Sequence, residues 1–349
     1  MATTHAGMTT SATREIQYRA AINEALFQEM ERDENVIVMG EDIAGGAGRE
    51  DLGVVDAWGG PFRTTVGLIQ RFGAERVLDT PLSESAFIGA AIGAASTGMR
   101  AIAELMFVDF MGVCLDQLIN NAAKMRYMFG GQVKMPFTLL TRIGAGFGVA
   151  AQHSASYYSI FSHMPGLKGV VPSDPYTAKG LLIAAIRDDD PVLYFEHKGM
   201  YGDTGPVPEE PYELPLGKAR TVREGSDITL VGISRMTWVC TAAAEELAKS
   251  GINAEVIDLL SVSPIDYDHV IDSVKRTHRL VVVDEDTPIC SLASDICARV
   301  AEEAFDFLDA PPSRVTAPHT PVPYSRALEK FYMPNEARVI KTVQGLLNR

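Results

Sequence analysis

Residues 76–107 read RVLDTPLSESAFIGAAIGAASTGMRAIAELMF, and this stretch indicates the class of fold. Its two ends, RVL and AIAELMF, are short apolar runs that predict buried strands. Between them, Pro81 and Ser83 mark the start of a helix made mostly of alanine, glycine and isoleucine. Because strands joined through a helix usually pair in parallel, the stretch predicts one strand–helix–strand unit of an α/β protein.

The same alternation continues along the rest of the chain. Further strands are predicted at residues 36–40, 136–143, 169–172, 191–197, 227–233, 254–259, 279–285 and 313–318. Further helices are predicted at residues 18–32, 112–129, 176–187, 236–249, 267–276, 293–307 and 335–347. Residues 202–215, GDTGPVPEEPYELP, interrupt the pattern with four prolines and four acids. We therefore predict two α/β domains with mostly parallel sheets, divided as a disordered leader at 1–14, a first domain at 15–201, a linker at 202–224 and a second domain at 225–349.

The composition argues against several classes of protein. A net charge of −14 argues against nucleic acid as the main partner, because phosphate binding needs a basic surface. No run reaches the roughly 18 apolar residues that a membrane span needs. The four cysteines form neither a CxxC pair nor a disulfide pattern, which favours reduced thiols and a cytoplasmic protein.

Glu84 is the ionisable residue at the entrance of the small-residue helix, and two interpretations of it are open. Ser83 could be the N-cap, with Glu84 in the first turn, where a carboxylate faces the positive end of the helix dipole. Alternatively, the carboxylate could have a chemical role in a site at this helix start. The stretch alone favours the first interpretation.

Three loops carry the remaining candidates for chemistry. The glycine-rich segments 45–48 and 144–148 could bind phosphate through backbone N–H groups, or could contain glycine only because their turns need positive φ. His153 follows the second segment and a predicted strand, where active sites of α/β proteins collect. The run 188–190, three aspartates, indicates either a solvated helix end or a cation site.

Several long blocks together resemble one family. The most specific are VMGEDIAGGAG, RVLDTPLSESAFIGAAIGAA, GVAAQHS, HMPGLKGVVPSDPYTAKGLLIAAIRDDDPVLYFEHK and TPVPYSRALEKFYMP. From about Ile16 onward, the chain resembles the β subunits of thiamine-diphosphate-dependent 2-oxo acid and acetoin dehydrogenases, which are transketolase-like. The resemblance implies a transketolase-like pyrimidine-binding domain followed by a transketolase C-terminal domain.

The resemblance also implies roles for individual residues. Thiamine diphosphate must lose a ring proton to become a nucleophile, and a carboxylate bound to its pyrimidine nitrogen promotes that loss. Glu84 matches this carboxylate, and His153 matches an active-site histidine that assists proton transfer. The other implied positions are a pyrimidine-contacting set, Leu82, Met106 and Phe110, and a potassium site, Ala185, Ile186, Asp188 and Asp190.

The implied reaction cleaves acetoin to acetaldehyde and a hydroxyethyl group on thiamine, whose acetyl group then passes to lipoamide. Residues 56–68, DAWGGPFRTTVGL, resemble acetoin dehydrogenase β subunits within the family. The alternatives are a pyruvate or branched-chain 2-oxo acid dehydrogenase β subunit and a non-catalytic docking subunit. The implied partners are an α subunit, which holds Mg²⁺ in a heterotetramer of two α and two β chains, and a dihydrolipoyl acyltransferase core.

Overall fold

The computed structural model describes residues 13–45 and 59–348. The strands in this part of the chain are β1 (Thr13–Gln17), β2 (Val36–Gly40), β3 (Val77–Asp79), β4 (Arg100–Leu105), β5 (Phe137–Ile143), β6 (Lys168–Val170), β7 (Val192–His197), β8 (Thr204–Pro208), β9 (Arg220–Arg223), β10 (Ile228–Gly232), β11 (Ala254–Asp258), β12 (Ser261–Ser263), β13 (Leu280–Asp284) and β14 (Ser313–Thr316). The α-helices are α1 (Tyr18–Arg32), α2 (Leu68–Phe72), α3 (Glu84–Ser96), α4 (Met111–Asp116), α5 (Ala123–Met128), α6 (Tyr158–Ser162), α7 (Pro175–Arg187), α8 (Met236–Ala248), α9 (Tyr267–Thr277), α10 (Leu292–Glu303), α11 (Arg326–Tyr332) and α12 (Glu336–Leu347).

The first sheet has the strand order β12-β6-β7-β5-β4-β2-β3. Its strands pair in parallel except β12, which is antiparallel to β6 at one edge. Every residue of β2 and β5 is buried, as expected for strands covered by helices on both faces. The parallel strands end at one edge of this sheet, named here the carboxyl edge, where ligands bind in open α/β folds.

The second sheet has the order β14-β13-β10-β11-β9, and β9 is its antiparallel strand. Helices α8 and α12 pack together over one face in a separate apolar cluster. Apolar residues of α9 and α10 belong instead to a core that also contains residues of α3, α4 and the first sheet. This shared core and the pairing of β12 with β6 join the two sheets.

Two strands lie within residues 202–224, the segment predicted as a linker. Strand β8 pairs antiparallel with β1, and β9 pairs with β11. Prolines fit in β8 because it belongs to a two-stranded ribbon, where a missing N–H leaves no inner strand unpaired. Strand β1 begins at Thr13, inside the predicted leader, whose residues 1–12 lie outside the described part.

Within residues 13–45 and 59–348, no helix is both long and apolar enough to cross a membrane.

Candidate active site

Five side chains of interest follow strands that end at the carboxyl edge. Glu41 follows β2, Glu84 opens α3 shortly after β3, and Phe107 follows β4. His153 lies in the long loop after β5, and Lys198 comes directly after β7. Since β3, β2, β4, β5 and β7 are neighbours in the sheet, these residues are drawn from adjoining strand ends.

Glu84 is the first residue of α3 and is half-buried. Ser83 occupies the N-cap position and Glu84 the first turn, as predicted, although the side chain of Ser83 makes no capping hydrogen bond to the described residues. The helix buries one apolar face, which includes Phe87 and Ile88. Its opposite face is exposed and small, with Ala86, Ala90 and Gly93, so a second protein surface could approach the backbone closely there.

Glu41 was missed by the sequence analysis, and it lies buried close to Glu84. Only 3% of Glu41 is exposed, and its Oε1 has no hydrogen-bond partner among the described residues. Burial, together with the nearby carboxylate of Glu84, raises the pKa of Glu41 to about 7. A buried acceptor without a partner beside a second carboxylate suits a ligand that brings its own N–H donors. The acid directly after the buried run VIVMG was the available signal.

We expect Glu41 to make folding stability fall as pH rises. Its folded pKa lies above its unfolded value, so its contribution is complete below pH 4.5 and is lost as pH rises to about 7. The Glu41→Gln variant should lack this loss, because its side chain does not ionise. The expected difference is about 1–2 kcal/mol, because one pKa unit corresponds to about 1.4 kcal/mol and only part of the change falls between pH 5.5 and pH 8.

Thermal midpoints of both proteins at pH 5.5 and pH 8 measure this effect, and other titrating groups cancel in the comparison. Equal pH dependence in the two proteins would contradict the assignment of the raised pKa to Glu41.

His153 packs into a cluster of aromatic rings at the ends of β4 and β5. Its ring meets those of Phe107 and Phe110 edge-on, with centroids 4.8 and 5.4 Å apart. The rings of Phe107 and Phe110 are themselves 5.7 Å apart and perpendicular. The structure therefore brings together His153 and Phe110, two of the residues singled out in the sequence.

The segment that resembles acetoin dehydrogenases reaches the same cluster. The ring of Phe62 lies 5.5 Å from that of Phe107, and the buried guanidinium of Arg142 lies 4.4 Å from the centre of the Phe62 ring. Arg142 also pairs with Glu104 at 2.8 Å, which fixes its position below the cluster. Residues 56–58 of that segment lie outside the described part of the chain.

The remaining pyrimidine-contacting candidates lie nearer to solvent. Leu82 is 82% exposed, two residues before Glu84, and Met106 is half-buried. Met106 and Phe110 both follow the end of β4, so they lie at the same edge as Glu84.

Lys198 is a second residue that the sequence analysis missed. It is 3% exposed, and its Nζ has no hydrogen-bond partner in the described part of the chain. Its ammonium lies 5.5 Å from the centre of the Phe107 ring, on which His153 also packs. Burial lowers the pKa of Lys198 to about 8, although the charges of Glu285 and Asp109 oppose this change. Its position directly after strand PVLYFEH was the only signal.

The glycine-rich loop at 144–148 binds carboxylates through its backbone. The N–H of Ala145 donates to Glu285 at 2.5 Å. The N–H groups of Gly146 and Gly148 donate to the two oxygens of Glu329 at 3.0 and 2.9 Å. Both glycines have positive φ, +106° and +69°, so the conformational interpretation of this loop is correct and its amides are not free for phosphate. In the other segment, residues 46–48 lie outside the described chain.

The backbone oxygens predicted to bind potassium lie near the end of α7, where Arg100 already contacts them. One nitrogen of its guanidinium donates to the carbonyl oxygens of Ile186 and Asp188, at 3.1 and 3.0 Å. A permanent cation therefore occupies the position facing two of the predicted ligands.

The other two predicted potassium ligands are also engaged. The carbonyl oxygen of Ala185 accepts from Thr138 at 3.2 Å, and the Asp190 carboxylate lies 3.0 Å from the ammonium of Lys168. The described residues contain no group of three or more His, Cys, Asp or Glu arranged to hold a metal ion. All four predicted ligands therefore already have partners within this chain.

Comparisons with known proteins assign the two sheets and the site at the carboxyl edge to a transketolase-type protein. Residues 14–204 match the family described as transketolase, pyrimidine binding domain, and residues 217–339 match transketolase, C-terminal domain. A solved structure titled split gene transketolase, inactive beta4 tetramer, has the same fold, with a TM-score of 0.74 and 22% identity over 95% of this chain and 98% of that one. These matches confirm the predicted class of two α/β domains with mostly parallel sheets.

Full-length relatives identify the family. The acetoin:2,6-dichlorophenolindophenol oxidoreductase subunit beta of Bacillus subtilis (strain 168) is 53% identical over 334 residues, covering 96% of this chain and 98% of the relative. The 2-oxoisovalerate dehydrogenase subunit beta of the same organism is 44% identical over 333 residues, covering 95% and 98%. The chain belongs to the family of β subunits of thiamine-diphosphate-dependent acetoin and 2-oxo acid dehydrogenases.

Proposed function

We propose that this chain is the β subunit of an acetoin dehydrogenase that uses thiamine diphosphate and lipoamide. It would cleave acetoin to acetaldehyde and deliver the acetyl group to lipoamide, together with an α subunit. The observation that carries the proposal is the pair Glu41 and Glu84 at the carboxyl edge, with a buried acceptor oxygen that has no partner among the described residues. The higher identity to the acetoin enzyme than to the branched-chain enzyme supports the choice of substrate.

The residues at this edge fit the pyrimidine half of thiamine diphosphate. Bound thiamine diphosphate supplies the carbon nucleophile that breaks a bond next to a carbonyl group. Glu84 would bind the protonated pyrimidine nitrogen and hold that proton in place by a charge-assisted hydrogen bond. Leu82, Met106 and Phe110 would contact the flat ring and exclude water from it.

His153 would move a proton near the substrate from its place between Phe107 and Phe110. Histidine suits this task because its ordinary pKa lies close to neutral pH. The two aromatic rings hold the imidazole through nearly perpendicular contacts. We propose Glu84 and His153 as the catalytic residues of this chain.

The exposed residues around the site support a partner chain. The exposed Leu82 and the small, exposed face of α3 support an α subunit that covers them, in a heterotetramer of two α and two β chains. Mg²⁺ would be held mainly by that α subunit, and the acetyl acceptor would be carried by a dihydrolipoyl acyltransferase core. The potassium site and the cytoplasmic location stay predictions, and the contacts of Arg100 do not favour the former.

We expect acetoin to be the preferred substrate of the assembled enzyme. The test is a dye-reduction assay of this chain co-expressed with its α partner, with thiamine diphosphate and Mg²⁺. Acetoin, pyruvate and 3-methyl-2-oxobutanoate would be compared, and a preference of about ten-fold or more in kcat/KM is expected, since pocket shape alone separates such small substrates. Preference for an oxo acid would overturn the substrate and favour the alternative, a pyruvate or branched-chain β subunit.

A further inference from the structure

We propose that Glu285 and Glu329 of the C-terminal domain are positioning residues, which hold the loop carrying His153 through its backbone N–H groups. The three hydrogen bonds from residues 145, 146 and 148 cross from the first domain to the second. The proposal rests on the proposed function only for the role of His153. The attachment of the loop stands on its own contacts.

Glu329 is placed for this contact by the short helix α11, which buries only Glu329 and Tyr332. It is 1% exposed, whereas its neighbours Leu328 and Lys330 in α11 are exposed. One carboxylate oxygen accepts from the N–H of Gly146 and the other from the N–H of Gly148. Both hydrogen bonds have ordinary N–H···O distances, 3.0 and 2.9 Å. A buried carboxylate is unfavourable unless its oxygens are satisfied, and the loop amides satisfy them.

Glu285 connects the loop to the end of β7. One of its oxygens accepts from Ala145, and the other accepts from Nε2 of His197 at 2.8 Å. Nδ1 of His197 accepts from the N–H of Gly199 at 3.0 Å, so the proton of the neutral ring lies on Nε2. Burial alone raises the pKa of Glu285, but His197 and the Ala145 N–H outweigh burial and hold that pKa below its usual value.

The loop leaves no space for a substitute at its first residue. A Cβ on Gly144 would lie 2.1 Å from Nε2 of His197, and the φ of Gly144 is +98°. A side chain there would displace the ring that Glu285 holds, so this glycine belongs to the same arrangement.

The two ends of the loop are joined by a hydrogen bond, so the contacts of Glu285 and Glu329 also restrict the position of His153. The N–H of Gly144 donates to the carbonyl oxygen of Ala155 at 3.0 Å, which closes residues 144–155 into a compact loop. The N–H of Ala155 also donates to the Asp109 carboxylate at 3.3 Å, beside the aromatic cluster. With its glycine half held by Glu329 and its base closed, the loop presents His153 to Phe107 at 4.8 Å.

Glu329→Gln in the full-length chain, co-expressed with its α partner, tests the proposal. Glutamine keeps the shape but turns an NH₂ group toward one of the two loop amides, so one hydrogen bond is lost. We expect hydrogen exchange of residues 144–155 to become about ten-fold faster, the change for one lost bond to a charged group. The kcat should fall while the KM for acetoin changes little, because the substrate-contacting groups remain. Glu302→Gln, at an exposed acid of α10, is the matched control.

Unchanged exchange of the loop in Glu329→Gln and in Glu329→Ala, with a native thermal midpoint, would overturn the proposal. Faster exchange spread evenly over the whole chain would also overturn it, since the effect would then be general destabilisation. The exchange result does not depend on the substrate. If the wild-type assembly turns over none of the three substrates, the proposed function fails while the exchange experiment still decides this inference.

Discussion

Replacing Glu84 by glutamine is expected to lower turnover of the assembled enzyme by about 10²–10⁴-fold, the range typical for loss of a group that acts on a proton. Glutamine keeps the size of the side chain but cannot supply the negative charge that would stabilise a protonated pyrimidine nitrogen. The complex with the α subunit should still form, because Glu84 is half-buried and its helix is held by Phe87 and Ile88. Turnover in the dye-reduction assay and the mass of the complex measure the two effects.

Glu75→Gln is the control for Glu84→Gln, because Glu75 is an exposed acid shortly before β3. If Glu84 acts only on the helix dipole, its substitution should cost about 0.3–1 kcal/mol of stability and leave turnover intact. Full turnover by the Glu84→Gln enzyme would therefore favour a capping role. It would also favour a β chain that serves only as a docking subunit.

His153→Phe is expected to lower kcat by about 10²-fold or more, the usual contribution of a positioned acid–base group. Phenylalanine keeps the edge contacts with Phe107 and Phe110 and removes both ring nitrogens. The thermal midpoint should stay within about 2 °C of the wild-type value, because the apolar packing is retained. Steady-state rates with acetoin, measured with wild-type protein in parallel, give the result.

His163→Phe is the matched control, since His163 is exposed at the end of α6, away from the strand ends. A His153→Phe enzyme with unchanged kcat and a steeply raised KM would show that the imidazole binds substrate without moving a proton.

Long, periodic elements could be predicted from the sequence. Helix α1 and strand β2 have the predicted limits, because one carries apolar residues at helical spacing and the other is a continuous apolar run between polar residues. The predicted helix at 112–129 is instead α4, a π-helical turn at Gln117–Ala122, and α5. Apolar spacing hardly differs between these helix types, so periodicity did not reveal the change.

Short edge strands could not be predicted in this way. Strands β1 and β8 are each five residues long and pair across nearly the whole first domain, from Thr13 opposite Pro208 to Gln17 opposite Thr204. Their sequences contain few apolar residues, and only the distant partner makes them strands. The domain limits at 15–201 and 225–349 stay predictions.

Some site residues were recognisable from the sequence, but Glu41 and Lys198, which directly follow strands, were not, and neither were the residues that act across domains. Glu84 could be recognised because it lies at a predicted helix start, and His153 because it follows a glycine-rich turn. Glu285 and Glu329 contact the loop only because the second domain packs against the first, which no local pattern records. The catalytic roles of Glu84 and His153 stay predictions.

The exposed leucine at the mouth of the site has a consequence for how the enzyme behaves in dilute solution. Leu82 is 82% exposed, and covering such a side chain contributes about 1.5–3 kcal/mol. Within the proposed function the α subunit covers Leu82, so this contribution would belong to the contact between chains and would be lost by mass action when they separate. Within the proposed function, a β chain alone has an incomplete active site. The fraction of complete sites would therefore rise with the concentration of the α subunit.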